Sequence, residues 1–163
     1  MKSRVVAAVT VMAVGAGVSA PGAWADPVVP QPDSSCPANL EGALTRTTDG
    51  TTFLECGTAA NGNRWQPFAG LPSSDRWVSY GPELTLHGQG RRNPEILSGD
   101  WIGRPQDPVS TCGVEQAAVV SPGQVGAPQT STGRSGQPLE FVVLPLVFSI
   151  SLTGNCLWER RHD

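Results

Sequence analysis

His87, in T-L-H-G-Q-G, is the one histidine in the body of this chain; His162 lies in the charged run Glu159–Asp163. Nucleophilic hydrolysis needs a serine, a histidine and an acid held together, with the histidine taking the hydroxyl proton. Serines and acids are plentiful, but no G-x-S-x-G elbow occurs, so a hydrolytic site around His87 would have to be assembled by the fold alone. The plainer reading of a histidine at a strand end is an ordinary surface residue. A glycosidase would need paired carboxylates, and Glu83, Asp100 and Glu115 fall within or beside expected strands, where acids commonly face solvent. Gly88-Gln89-Gly90 is half a dinucleotide fingerprint; with no third glycine and no helix pattern after it, it reads as a turn.

Tryptophan beside arginine is the other chemistry-bearing pattern. Arg64 precedes Trp65, Arg76 precedes Trp77 with Tyr80 close by, and Arg104 follows Trp101. Exposed, such pairs stack on sugar rings or hold an anionic partner; buried, they fill a core. Trp77, Trp101 and Trp158 are expected in the core. Trp65 lies in a Gly/Asn-rich stretch and is the one expected at the surface, so Arg64 and Trp65 are the candidate ligand-binding residues, with a glycan, an envelope component or a protein as partner. No cofactor motif is present. Cys36, Cys56, Cys112 and Cys156 include no C-x-x-C, so no metal site is expected. The only lysine is Lys2, which excludes a Schiff-base or phosphate-loop lysine from everything after the first residues.

The start of the chain has the form of a secretory signal. Lys2 and Arg4 precede an apolar run from Val5 to Val18, and Ala23-Trp24-Ala25 supplies small residues around an expected cleavage after Ala25. The run is shorter than the ~20 residues that span a bilayer. No lipobox precedes Cys36, and no later segment is long and apolar enough to cross a membrane. Of the 163 residues, 1–25 are thus read as signal peptide, 26–35 (D-P-V-V-P-Q-P-D-S-S) as a Pro-rich flexible or extended leader, and 36–161 as one β-rich secreted domain. Without Lys2 and Arg4, nine arginines face fourteen acids, a net charge of −5, against nucleic acid as a partner. Four cysteines in an exported chain imply two disulfides. Three pairings exist; Cys36–Cys56 with Cys112–Cys156 is favoured because each closes a compact unit.

Strands must position these residues. From Leu146, the run L-V-F-S-I-S-L-T-G-N-C-L-W alternates apolar and polar residues, so Leu146, Phe148, Ile150, Leu152, Cys156 and Trp158 are expected on one buried face. Asp49-Gly50 between β-branched runs predicts a two-residue hairpin turn in residues 40–56, pairing Thr48 with Thr51 and Ala43 with Cys56. Residues 57–74 read as a loop anchored by Trp65 and Phe68. Strands are expected at 76–80, 83–87, 96–103, 112–120 (interrupted by Gln116) and 139–144, and a structureless run at 121–138. No amphipathic helix of three turns is present. The fold class is all-β, a single disulfide-bonded β-sandwich or barrel-like domain.

The stretches Gly99–Cys112 (G-D-W-I-G-R-P-Q-D-P-V-S-T-C) and Thr153–Arg161 (T-G-N-C-L-W-E-R-R) resemble small exported proteins of mycobacteria and related actinobacteria, a largely uncharacterised group. The resemblance implies secretion and a disulfide-bonded β domain, and brings no catalytic residue. The functional expectation is a secreted, non-enzymatic binding or envelope-associated module that presents loops on a rigid scaffold. The alternative is a small hydrolase around His87.

Overall fold

The computed structural model describes residues 28–162; the expected signal peptide and its cleavage site lie outside them. The fold is all-β and sandwich-like. The strands are β1 (Leu44–Arg46), β2 (Phe53–Ala59), β3 (Gly62–Pro67), β4 (Arg76–Leu86), β5 (Gly99–Pro105), β6 (Gly113–Ser121), β7 (Gln124–Val125), β8 (Gln129–Thr132), β9 (Leu139–Val143) and β10 (Val147–Arg160), with a 3-10 turn at Ala38–Leu40. Their order is β3-β2-β1-β4-β10-β5-β9, with β6 also on β10 and carrying β7 and β8.

β10 is the strand at which the sheet forks. One edge pairs antiparallel with β4, from Ile150↔Leu86 to Glu159↔Arg76. The other edge is divided: Val147 to Thr153 pairs with β6, and Cys156 to Arg160 with β5. The fork opens at Gly154 (φ 91°), where a Cβ would overlap the Thr111 carbonyl oxygen, and the Cys112–Cys156 disulfide ties β10 to the start of β6 there. A second close approach fixes Gly103 on β5, whose missing side chain leaves room for the Trp158 ring.

The two arms then curl over one core. It gathers Trp77, Leu84 and Leu86 from β4, Trp101 from β5, Val114 from β6, Phe141 and Val143 from β9, and Ile150, Leu152 and Trp158 from β10. Gln116 closes the seam. It is 7 % exposed, its Nε2 donates to the Val142 carbonyl at 2.8 Å, and its Oε1 accepts from Leu144 N–H at 3.0 Å. The carboxamide thus pairs with the free edge of β9 as a neighbouring peptide would, which is why a polar residue interrupts an apolar face. Buried indoles are also satisfied: Trp101 Nε1 donates to Leu97 O, and Trp158 Nε1 to Ser79 Oγ, which donates in turn to Gly154 O. A smaller cluster on the opposite face joins Leu40, Ala43, Leu54, Trp65, Val78 and Leu157 around the Cys36–Cys56 disulfide.

Several expectations are corrected. Leu146 and Phe148 are exposed and Val147 is buried, because a bulge against β6 (Val147↔Ala118, then Ser149↔Ala117) places one extra residue in β10 and reverses the alternation. Val120, expected with Cys112, Val114 and Ala118 on one face of its strand, runs past the core into solvent. The strands expected at 76–80 and 83–87 are one strand, with a bulge where residues 82 and 83 oppose the single residue Thr153. Proline at position 82 brings no N–H, so the unpaired position suits it. Residues 57–74 are not all loop: β2 continues to Ala59, and β3 follows a two-residue turn. The 121–138 run holds β7 and β8, whose side chains all count as exposed; backbone pairing to β6 is what holds them. Ahead of the domain, Asp33 to Cys36 lies along β3 through hydrogen bonds with Asn63 and Trp65. The β1–β2 register has the expected phase, Leu44↔Glu55 onward, but pairing stops at Thr47 and Thr52, and Asp49 caps a wider turn through the Thr47 and Thr51 hydroxyls.

Candidate functional site

The bulge in β4 shapes the outer face of the sheet. Before it, Trp77 and Ser79 turn to the main core while Val78 and Tyr80 turn outward. The extra residue changes the phase, so Leu84 and Leu86 stay in the core while Glu83 and Thr85 join the outward set. Between these residues and the Thr47–Gly50 turn lies a cleft of about 220 Å³, lined by Val29, Arg46, Thr48, Tyr80, Glu83 and Thr85 among others. A second hollow of about 300 Å³ lies across the extended leader, and Val29 and Tyr80 border both.

Glu83 is the charged group at the lip. Its Oε1 accepts hydrogen bonds from Ser151 Oγ at 2.6 Å and Thr85 Oγ1 at 2.9 Å. The Ser151 hydroxyl first, and then that of Thr85, hold the carboxyl below its ordinary range, so it is an acceptor at neutral pH. Its Oε2 takes no hydrogen bond from the described residues and is oriented by the fixed Oε1. Arg46 is already engaged: Nη2 donates to Glu95 Oε1 at 2.7 Å, Nη1 to Thr85 O at 3.1 Å, and the guanidinium lies 4.5 Å over the Phe53 ring. The Tyr80 ring meets Trp65 edge to face, with centroids 6.2 Å apart. Its hydroxyl is shielded and has no hydrogen-bond partner among the described residues, and burial pushes the phenol up, so it stays protonated.

The pair singled out from sequence is otherwise employed. Trp65 is 2 % exposed, packed in the smaller core, so the surface position expected of it is not found. Arg64 Nη1 donates to the Asp33 carbonyl at 2.6 Å and so holds the leader on β3. His87 is better placed than a bare strand-end histidine. Glu95, buried, accepts from His87 N–H at 2.8 Å and lies 3.6 Å from Nδ1, while its other oxygen holds Arg46. No serine hydroxyl hydrogen-bonds to His87 among the described residues, and His87 lines neither hollow. Glu115 and Asp100 are likewise absent from the walls of the cleft.

No family model, curated protein or solved structure matches this chain. Among the described residues no three or more His, Cys, Asp or Glu side chains gather as a metal ion requires, and no helix is long and apolar enough to cross a membrane. Both disulfides are formed and no described cysteine is free, which fits an oxidising compartment.

Sequence reasoning passed over Arg46 and Thr85, and weighed Glu83 only as half of a carboxylate pair. The β4 bulge sets their common face, and its one sequence cue is Gly81-Pro82 between two alternating runs.

Proposed function

We propose that the protein is an exported binding module whose cleft takes a small hydroxyl-bearing group, such as one sugar residue of an envelope glycan. The observation that carries this reading is Glu83, a cleft-lining, ionised carboxylate with one oxygen anchored by two hydroxyls and the other without a partner among the described residues. An acceptor so held selects hydrogen-bond donors, and the Tyr80 ring and the Thr48 hydroxyl beside it suit the mixed polar and apolar faces of a sugar. The volume, about 220 Å³, suits one ring rather than a long chain. Export is supported by the form of residues 1–25 and by the two disulfides. Titration of the protein with a panel of soluble glycans, followed by amide chemical shifts, tests the reading. Shifts should cluster at Thr48, Tyr80, Glu83 and Thr85 and vanish in Glu83→Gln. Shifts elsewhere, or none at millimolar sugar, would refute it.

One observation favours a second reading, a hydrolase. Glu95 stands 3.6 Å from His87 Nδ1, beyond a hydrogen bond, and a small closure between them would orient the imidazole as a general base. Assays of ester, peptide and glycan cleavage with the parent and His87→Ala decide it; no parent activity, or activity unchanged in the variant, removes it.

A further inference from the structure

The corner where β6, β7 and β10 meet carries apolar side chains left partly open to solvent. Val120 is 67 % exposed, Leu146 55 %, Val125 46 % and Phe148 37 %. The segments that carry them adjoin. Val119 N–H donates to Leu146 O at 2.9 Å, Val147 pairs with Ala118, and Val119 pairs with Val125 on strands about 4.8 Å apart. The loop after β4 closes over the same corner: Gly90 N–H donates to Val147 O at 2.7 Å, and the Arg91 guanidinium stands 5.1 Å from the Phe148 ring centre. Arg92, next in the chain, is exposed. Residues 84–94, 117–126 and 141–149 contain no Asp or Glu, although the chain as a whole is acidic. The corner is therefore apolar and positive on a negative molecule.

Leu146 adds a second, independent observation. Its φ is 58°, a left-handed conformation that glycine or asparagine adopts with less strain. A turn that needed only to reverse the chain would be served better by glycine. What leucine adds is an apolar side chain held out into water.

We propose that this corner docks the protein on an anionic lipid surface, with Leu146 and Phe148 entering the acyl boundary and Arg91 and Arg92 meeting headgroup phosphates. Shallow apolar insertion joined to basic charge is the combination that gives reversible interfacial binding. The four residues line neither hollow, so this docking is independent of the cleft and its ligand.

The test is co-sedimentation of the exported protein with vesicles of phosphatidylcholine, alone or mixed equally with phosphatidylglycerol. Binding should be several-fold greater on the mixed vesicles and fall in high salt. Leu146→Gly should lose binding several-fold while its melting temperature rises, an opposite pair of effects that a purely structural leucine would not produce. The double change Arg91→Gln with Arg92→Gln should lose binding without altering the melt. Equal binding to both vesicles, none to either, or parent-like binding by Leu146→Gly overturns the proposal. So does concentration-dependent dimerisation without lipid that Leu146→Gly abolishes, since a second copy of the chain would then be the cover.

Discussion

Replacing Gln116 with leucine tests whether the seam between β6 and β9 holds the two arms of the fold together. Leucine has similar bulk, so the change removes chemistry more than volume. Two hydrogen bonds go, at 2.8 and 3.0 Å. The Val142 carbonyl and the Leu144 N–H are left without partners in a partly buried place, at about 1.5–2.5 kcal/mol each. Burying the leucine offsets about 1 kcal/mol. The sum is about 2–4 kcal/mol, and at about 4 °C per kcal/mol the melting temperature should fall by about 8–15 °C. Gln116→Glu sharpens the test. One carboxyl oxygen can still accept from Leu144 N–H, but the other faces the Val142 carbonyl and must carry a proton to donate. The glutamate pKa is then raised in the folded state above its unfolded value of about 4.3. Folding takes up that proton, so its stabilisation is full below the unfolded pKa and is lost as pH rises through the folded one. Gln116→Glu should therefore melt close to the parent near pH 4 and well below it at pH 7. Near-ultraviolet circular dichroism, reporting the buried tryptophans, gives both melts. A Gln116→Leu melt within about 2 °C of the parent would refute the seam, and a parent-like pH response in Gln116→Glu would refute the donor and acceptor assignment.

Other perturbations follow from the same framework. Ile150→Asp, in the main core, should cost at least about 4 kcal/mol and abolish the yield of folded protein, whereas Ser151→Asp sets a second carboxylate against Glu83 and should cost about 1 kcal/mol, as read by thermal melting. Gly154→Ala places a methyl group against the Thr111 carbonyl at positive φ; it should destabilise by about 3 kcal/mol and leave free thiols that a maleimide reagent detects. Replacing the pair Cys112 and Cys156 by serine should cost about 4 kcal/mol and the pair Cys36 and Cys56 about 3, the longer loop giving the larger loss in urea titration.

The strand class, the hairpin register of β1 with β2 and the buried face from Ile150 to Trp158 were legible because each rests on local alternation that a core makes necessary. What escaped has a common physical origin. Leu146 and Phe148 obey the alternation on paper, but the bulge beside Ala117 and Ala118 is decided by pairing with a distant strand. β8 has no apolar pattern because its side chains all count as exposed, so only its backbone could reveal it. Trp65 was misread for the opposite reason. Its Gly/Asn surroundings mark a turn at residues 60–61, yet the tryptophan lies far enough past the turn to reach the smaller core. The cleft was illegible because β1, the turn after it and both halves of β4 contribute to it, and a phase change inside β4 sets which side chains share it.

β10 follows in sequence every strand with which it pairs. Neither arm can close its core until residues 147–160 are in place, so the rate-limiting search is for distant partners rather than for local hairpins. The thiols experience this as a timetable. Cys36 can meet Cys56 once the β1–β2 hairpin and its flanking turn have formed, a local event of microseconds. Cys112 and Cys156 meet only after β10 has found both β4 and β6. Oxidation of this chain should thus proceed through an intermediate with one bond made and two thiols waiting, during which the long edge of β4 stands open to any other strand that reaches it first.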